Sequence, residues 1–256
     1  MSLEACKELV RVGDPDRFEV TVLAPENIQK ILWPLYAFNV EVTRAPWVTQ
    51  EPMIAEIRLQ WWRDALAQIR EGKQVRSHAV TVPLAEILDA EGAMVLDKLV
   101  EARAWDIYAD AFPNRESFDA YIDATYGNLI WTAARLIAPE AEEKIIRKFA
   151  YGCGIAAMLR ATARLKSMGR SPLFDDNVTA FHKLAKHGFF NMNYAIRARK
   201  NLPKSLEPVL MSGWNAFPTF ISVRHNAQRI YEQGFTQSEF SRRYRILKLS
   251  LFGWWR

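Results

Sequence analysis

The chain has 256 residues, half of them hydrophobic and a quarter charged, which suits a sizeable globular core and excludes a disordered or low-complexity protein. Cys6 and Cys153 are its only cysteines, so a disulfide framework and a CxxC metal pair are excluded and the expected setting is a reducing one. The net charge of +5 conceals a division: residues 1–134 carry 13 Lys and Arg against 21 Asp and Glu, and residues 135–256 carry 21 against 8. A basic half of this kind serves a nucleic acid, an anionic membrane surface or a polyphosphate ligand, or is a solvated helix face. No helix-turn-helix, zinc-knuckle or aromatic RNA-binding signature accompanies the charge, which argues against nucleic acid.

No run of strict two-residue alternation is long enough to insist on a sheet, and the expected class is all-α. The opening MSLEACKELV has two glutamates and no cationic flank before a long apolar run, so it does not read as a secretory signal. Ser2 to Val12 reads as a helix stopped by Gly13 and Asp14-Pro15. Pro25-Glu26 opens a long helix with proline in its first turn, and Pro34 is expected to kink it. Ile28, Ile31, Leu32, Leu35 and Val42 form its apolar face, and Tyr36, Asn39 and Thr43 recur beside them at i, i+3 and i+7. Polar groups bordering an apolar face form either a cavity wall or a hydrogen-bonded layer inside a bundle.

The next helix begins after Glu51-Pro52 and is expected to turn Ile54, Ile57, Trp61, Leu66 and Ile69 inward, with Arg58, Trp62 and Arg63 threaded between them. Gly72 to Thr81 reads as a loop, Pro83 to Ala90 and Ala93 to Ala109 as helices divided by Gly92, and Asn114 as the cap of a helix reaching Ile137. Pro139 to Met168 is the longest helical pattern, rich in small residues from Ala150 to Ala163 that permit close helix contact. It stops at Gly169, after which Asp175, Asp176 and Asn177 offer a cap to a helix through about Asn201. Leu206 to Val223 is interrupted by Pro208, Gly213 and Pro218, too broken to span a bilayer.

A last helix, from about Gln237 to Phe252, aligns Phe240, Tyr244, Leu247, Leu251 and Trp254 or Trp255, with Arg242, Arg243, Arg245, Lys248 and Arg256 around them. This stripe either lies at a lipid headgroup boundary or packs on the bundle, and the sequence leaves both open. For the first case the membrane-contact candidates are Arg242, Arg243, Tyr244, Lys248, Trp254 and Trp255. His78, His182, His187 and His225 lack HExxH or paired spacing and read as surface or cap residues.

The order of several short motifs resembles the squalene/phytoene synthase superfamily: Asp16-Arg17-Phe18, Ala24-Pro25, Leu35-Tyr36-Ala37-Phe38, Arg58 to Arg63, Tyr121 and Tyr126, Leu159-Arg160, Gly169-Arg170 and Pro172. The resemblance implies one domain over residues 1–256, an isoprenoid-synthase-like helical bundle around a central cavity, with 237–256 as a basic aromatic C-terminal helix. Enzymes of the superfamily join two isoprenoid diphosphates head to head. They hold Mg²⁺ on two facing clusters of aspartates spaced i and i+4. By alignment of the flanking motifs the first cluster falls on Thr43 and Trp47 and the second on Ala161 and Leu165, and none of the four is a carboxylate. Arg44 and Arg164 place positive charge nearby instead; Glu41, Asp64, Asp175 and Asp176 are the nearest acids that could substitute.

AFNVE at Ala37 to Glu41, the run Arg58 to Trp62, and LRAT at Leu159 to Thr162 in place of the catalytic LRD resemble a non-catalytic branch of the superfamily, which includes an assembly factor of mitochondrial respiratory complex I. What this implies is a non-catalytic assembly factor without metal or other cofactor. Its partners would be a complex I subunit or assembly intermediate and an anionic membrane surface. It would be peripheral on the inner face of the plasma membrane, or on the matrix face in an organelle. The alternatives are a Mg²⁺-dependent prenyl transferase and an isoprenoid- or lipid-binding module without turnover. For these the cavity candidates are Tyr36, Asn39, Thr43, Arg58, Trp62, Arg63, Tyr126, Arg160 and Arg170. The arginines among them also read as structural partners of Glu41, Glu56 and Asp64.

Overall fold

The computed structural model describes residues 3–49, 51–108 and 110–253. Thirteen α-helices and no strand occur among them: α1 (Leu3–Gly13), α2 (Pro15–Thr21), α3 (Glu26–Arg44), α4 (Pro52–Arg70), α5 (Thr81–Ile87), α6 (Ala90–Ala102), α7 (Arg115–Ile122), α8 (Asn128–Ile137), α9 (Glu143–Ser167), α10 (Val178–Ala198), α11 (Glu207–Met211), α12 (Ala216–Gln233) and α13 (Glu239–Phe252). They group into two compact units, residues 1–108 with 128–140, and residues 109–127 with 141–256. The charge division follows this grouping, with 13 Lys and Arg against 18 Asp and Glu in the first unit and 21 against 11 in the second.

In the first unit α3 is the central helix, and α1, α5 and α8 pack on it. Ile28, Leu32, Leu35 and Val42 are buried as the apolar pattern requires, and the helix continues through the buried Pro34. Gly13, closing α1, permits close approach to α3: a Cβ there would meet the Val40 side chain at 2.3 Å. The sequence misjudged the buried face of α4. Ala55, Leu59, Trp62, Ala65, Leu66 and Ile69 are buried, whereas Ile57 is 62% exposed and Ile54 40%. The buried set repeats at i, i+4, i+7 and i+11, and its alanines lie in the face that packs against α6. Asp89 caps α6 by accepting from the Gly92 amide at 2.8 Å and binds Arg135 of α8, Oδ2 to Nη1, at 2.8 Å.

In the second unit α9 is the axis, with α10 and α12 against it. The small residues expected to allow close contact do so. A Cβ on Gly188 of α10 would lie 2.8 Å from Ile155 Cγ2 and from the Phe220 ring, and one on Gly152 would lie 3.2 Å from the Gly188 carbonyl. Asn114 caps α7 through the Ser117 amide at 2.8 Å, and α7 leads into a π-helical turn, Asp123–Gly127. The cap of α10 is Asn177, bonded to the Ala180 amide at 2.8 Å. Asp176 is used otherwise: it accepts from the Tyr231 hydroxyl at 2.6 Å and pairs with Lys166 at 3.1 Å. Within α12, Asn226 leaves helical geometry (φ −152°, ψ 72°) and its side chain accepts from the Arg229 amide at 3.1 Å, capping the run that follows. That run ends at Gly234, whose φ of +84° a residue with a Cβ would resist.

Candidate functional site

The residues at the expected metal positions do not fit a divalent cation. Thr43 closes the last full turn of α3, half-buried, and its Oγ1 has no hydrogen-bond partner among the described residues. Pro46 then tightens the chain into a 3-10 turn, Ala45–Trp47, so Trp47 lies off the α-helical register of Thr43 and is 37% exposed. On α9, Ala161 and Leu165 are half-buried and offer no oxygen, while the buried Thr162 spends its hydroxyl on the Met158 carbonyl at 2.9 Å. Among the described residues no three His, Cys, Asp or Glu side chains converge as metal ligands. Mg²⁺ requires near-octahedral oxygen coordination, and an alanine, a leucine and a tryptophan supply none of it.

The first unit fixes six of the cavity candidates. Tyr36 and Asn39 are buried on α3, and the Arg17 guanidinium, itself paired with Asp14 at 2.5 Å, lies 5.2 Å from the Tyr36 ring centre. Trp62 is buried edge-on to Phe38, with ring centres 5.4 Å apart, and touches Trp61 and His78 in the same manner. Arg58 is exposed. Arg63 makes two parallel bonds to Asp97 of α6, at 2.8 and 2.9 Å, and that hydrogen bonding raises its already high pKa. A structural pair is therefore present, with a partner other than those expected. Glu41 faces Arg44 at 3.5 Å, Glu56 accepts from the Tyr108 hydroxyl, and Asp64 accepts from Gln60 and Arg76. The bond from Gln60, then that from Arg76, holds the Asp64 carboxyl below its usual range.

The second unit holds the other three. Tyr126 sits in the π-helical turn against α9, where a Cβ on Gly154 would come within 3.0 Å of its ring; Arg160 on α9 and Arg170 in the loop beyond are half-buried. A polar cleft of about 690 Å³ in this unit escaped the sequence reading. In it Tyr151 donates to Asp119 at 2.5 Å, and Arg147 bridges Glu143 at 2.6 Å and Asp123 at 3.0 Å. Burial and then the Asp119 bond push the Tyr151 phenol well above its ordinary pKa. Burial, reinforced by Arg115, lowers that of His187, which lines the same cleft. Its members come from α7, the π turn, α9 and α10, and none belongs to a motif, so only an i, i+4 and i, i+3 charge pattern on α9 hinted at it.

Of the membrane-contact candidates, Arg243, Tyr244 and Lys248 are exposed on α13. Arg242 turns toward the protein and lies 5.9 Å from the Trp214 ring centre. Trp254 and Trp255 lie outside the described residues. No described helix is long and apolar enough to cross a membrane.

Comparison with known proteins places the chain among relatives and folds. Two curated relatives match: a Drosophila melanogaster protein named NADH dehydrogenase (ubiquinone) complex I, assembly factor 6 homolog, 32% identical over 49% of this chain and 39% of its own length, and the Mus musculus assembly factor 6, 22% identical over 73% and 57%. The chain thus spans between about two fifths and three fifths of the curated relatives it matches. Among solved structures, a dehydrosqualene synthase superposes with TM-score 0.78 at 14% identity, covering 97% of this chain and 94% of that one. Squalene synthase HpnC from Alicyclobacillus acidocaldarius follows with 0.72 at 13%, covering 88% and 94%, and both likenesses establish the all-α fold. The family model described as squalene/phytoene synthase matches residues 10–188, more than half of the chain, and the protein belongs to that family.

Proposed function

We propose that the protein is a non-catalytic member of its family that acts as an assembly factor for respiratory complex I, without metal or other cofactor. Its client would be a complex I subunit or assembly intermediate, met from the inner face of the membrane. The observation that carries this reading is that Thr43, Trp47, Ala161 and Leu165, where the resemblance places the family's metal-binding carboxylates, are none of them acids. Two diphosphates brought together without cations repel each other, and departure of one lacks the Lewis acid that stabilises it. The names of the two curated relatives support the same reading.

The test pairs a genetic and a chemical arm. Deleting the gene in its source organism is expected to lower the amount of assembled NADH:quinone oxidoreductase on native gels, and an intact copy to restore it. Calorimetric titration with a non-hydrolysable farnesyl diphosphate analogue is expected to show no Mg²⁺-dependent binding, and incubation with the natural diphosphate no product. Turnover, or binding that Mg²⁺ tightens, would overturn the non-catalytic reading; unchanged complex I in the deletion strain would overturn the assembly role.

A further inference from the structure

The last helix, α13, presents two faces with different surroundings. Residues of an α-helix turn about 100° from one to the next, so Phe240, Tyr244, Leu247 and Leu251 fall within a stripe roughly 60° wide. All four point to solvent, with exposures of 80, 55, 54 and 65%. The opposite face, Arg242, Arg245, Ile246 and Leu249, is half-buried against the rest of the unit, and no residue of α13 is fully buried. The stripe does not pack on the rest of the unit, as one of the two expectations had it; the other side of the helix faces that way, and the apolar stripe remains uncovered.

The charges beside the stripe identify what covers it. Arg243 borders it on one edge, exposed and paired with Glu239 at 2.9 Å, and Lys248 borders it on the other, exposed; Glu239 is the only acid on the helix, against four Lys and Arg. Long cationic side chains at both edges of an apolar stripe reach up to phosphates while the stripe enters the acyl boundary. Phe240 and the stacked Tyr244, ring centres 6.3 Å apart, suit the headgroup depth. The second unit as a whole carries 21 cationic against 11 anionic side chains, so its field favours an anionic surface before contact.

We propose that α13 docks lengthwise on an anionic lipid surface, with Phe240, Tyr244, Leu247 and Leu251 inserted at the interface and Arg243 and Lys248 on headgroup phosphates. The inference depends on the peripheral placement above only for which membrane is meant. It stands on α13 itself, so lipid binding and complex I assembly are refuted by separate results.

The experiment is flotation of the full chain with vesicles of phosphatidylcholine alone, or with about 30% phosphatidylglycerol, at low and high salt. The expected result is binding to the anionic vesicles about tenfold or more above the neutral ones, weakened by salt. Leu247→Glu with Leu251→Glu is expected to lower binding about tenfold or more, and Arg243→Gln with Lys248→Gln to remove most of the preference for anionic lipid. Unchanged helical circular dichroism and melting in both variants keeps the comparison meaningful, since the altered side chains are exposed. Equal binding of the intact chain to both vesicle types, undiminished binding of the glutamate variant, or binding only to native membranes and lost on protease treatment would overturn the proposal. The last outcome would assign the stripe to a protein groove.

Discussion

Asp89 does two jobs that substitution can separate. Its Oδ1 caps α6 at the Gly92 amide, 2.8 Å away, and its carboxylate holds Arg135, whose side chain is only 14% exposed. Asp89→Ala removes a cap worth ~1 kcal/mol and leaves a largely buried guanidinium with a poorer partner, Glu91 at 3.4 Å, for about another 1 kcal/mol. Asp89→Asn keeps the cap, because asparagine is as good at that position, and loses the charge attraction together with the acceptor for Arg135 Nη1, which the amide nitrogen replaces. As the Asp89 side chain is 54% exposed, solvent screening limits that loss to about 0.5–1 kcal/mol. At about 2–4 °C per kcal/mol for a chain of this size, the alanine variant melts roughly 4–8 °C below the parent and the asparagine variant roughly 1–4 °C below.

The pH dependence carries a sign. Arg135 and the Gly92 amide depress the Asp89 carboxyl from its ordinary 3.8 to about 2. The charge contribution is therefore complete above pH 3.8 and lost as pH falls through about 2, so the gap between the parent and Asp89→Asn should narrow over that window. Scanning calorimetry at pH 7 and at several values below 4 measures both effects. Equal melting of the alanine and asparagine variants, or a gap that widens with acid, would refute the assignment of separate roles.

Two further outcomes test the packing. Gly188→Val forces a side chain where even a Cβ meets Ile155 and Phe220 at 2.8 Å, and should cost about 1–3 kcal/mol in urea unfolding; an unshifted midpoint would mean α9 and α10 are not in close contact. Cys6 is fully buried with its thiol pushed up to about 11 by desolvation, so a disulfide reagent at neutral pH should modify it only after denaturation, and rapid labelling of the native chain would contradict its placement.

The helical class and the apolar face of α3 were readable because Ile28, Leu32, Leu35 and Val42 admit a single period. α4 was not, since it carries apolar residues on more than one side, and the packing of the folded unit, α6 against it and Phe38 of α3 against Trp62, selects the stripe. The ion pairs show the same division. That Arg63 needs an acid follows from its chemistry, but Asp97 lies 34 residues away and only the fold brings it near. The polar cleft around Tyr151 left only the charge spacing on α9 as a trace for that reason, being assembled from four separated segments. The missing carboxylates, by contrast, needed no structure, because a ligand set is a property of residue type and spacing.

The break at Asn226 bears on how the chain is led into α13. Asn226 stops one helical run and starts the next with its own side chain, and Gly234 closes that run before α13 begins. Between them Tyr231 is buried against Phe181 and bonded to Asp176, so the run that leads to α13 is held by both its own backbone joints and the side chains it packs on. A residue with a Cβ at Gly234 would therefore strain the turn from which the chain enters α13, while leaving the close contacts of Gly152 and Gly188 untouched.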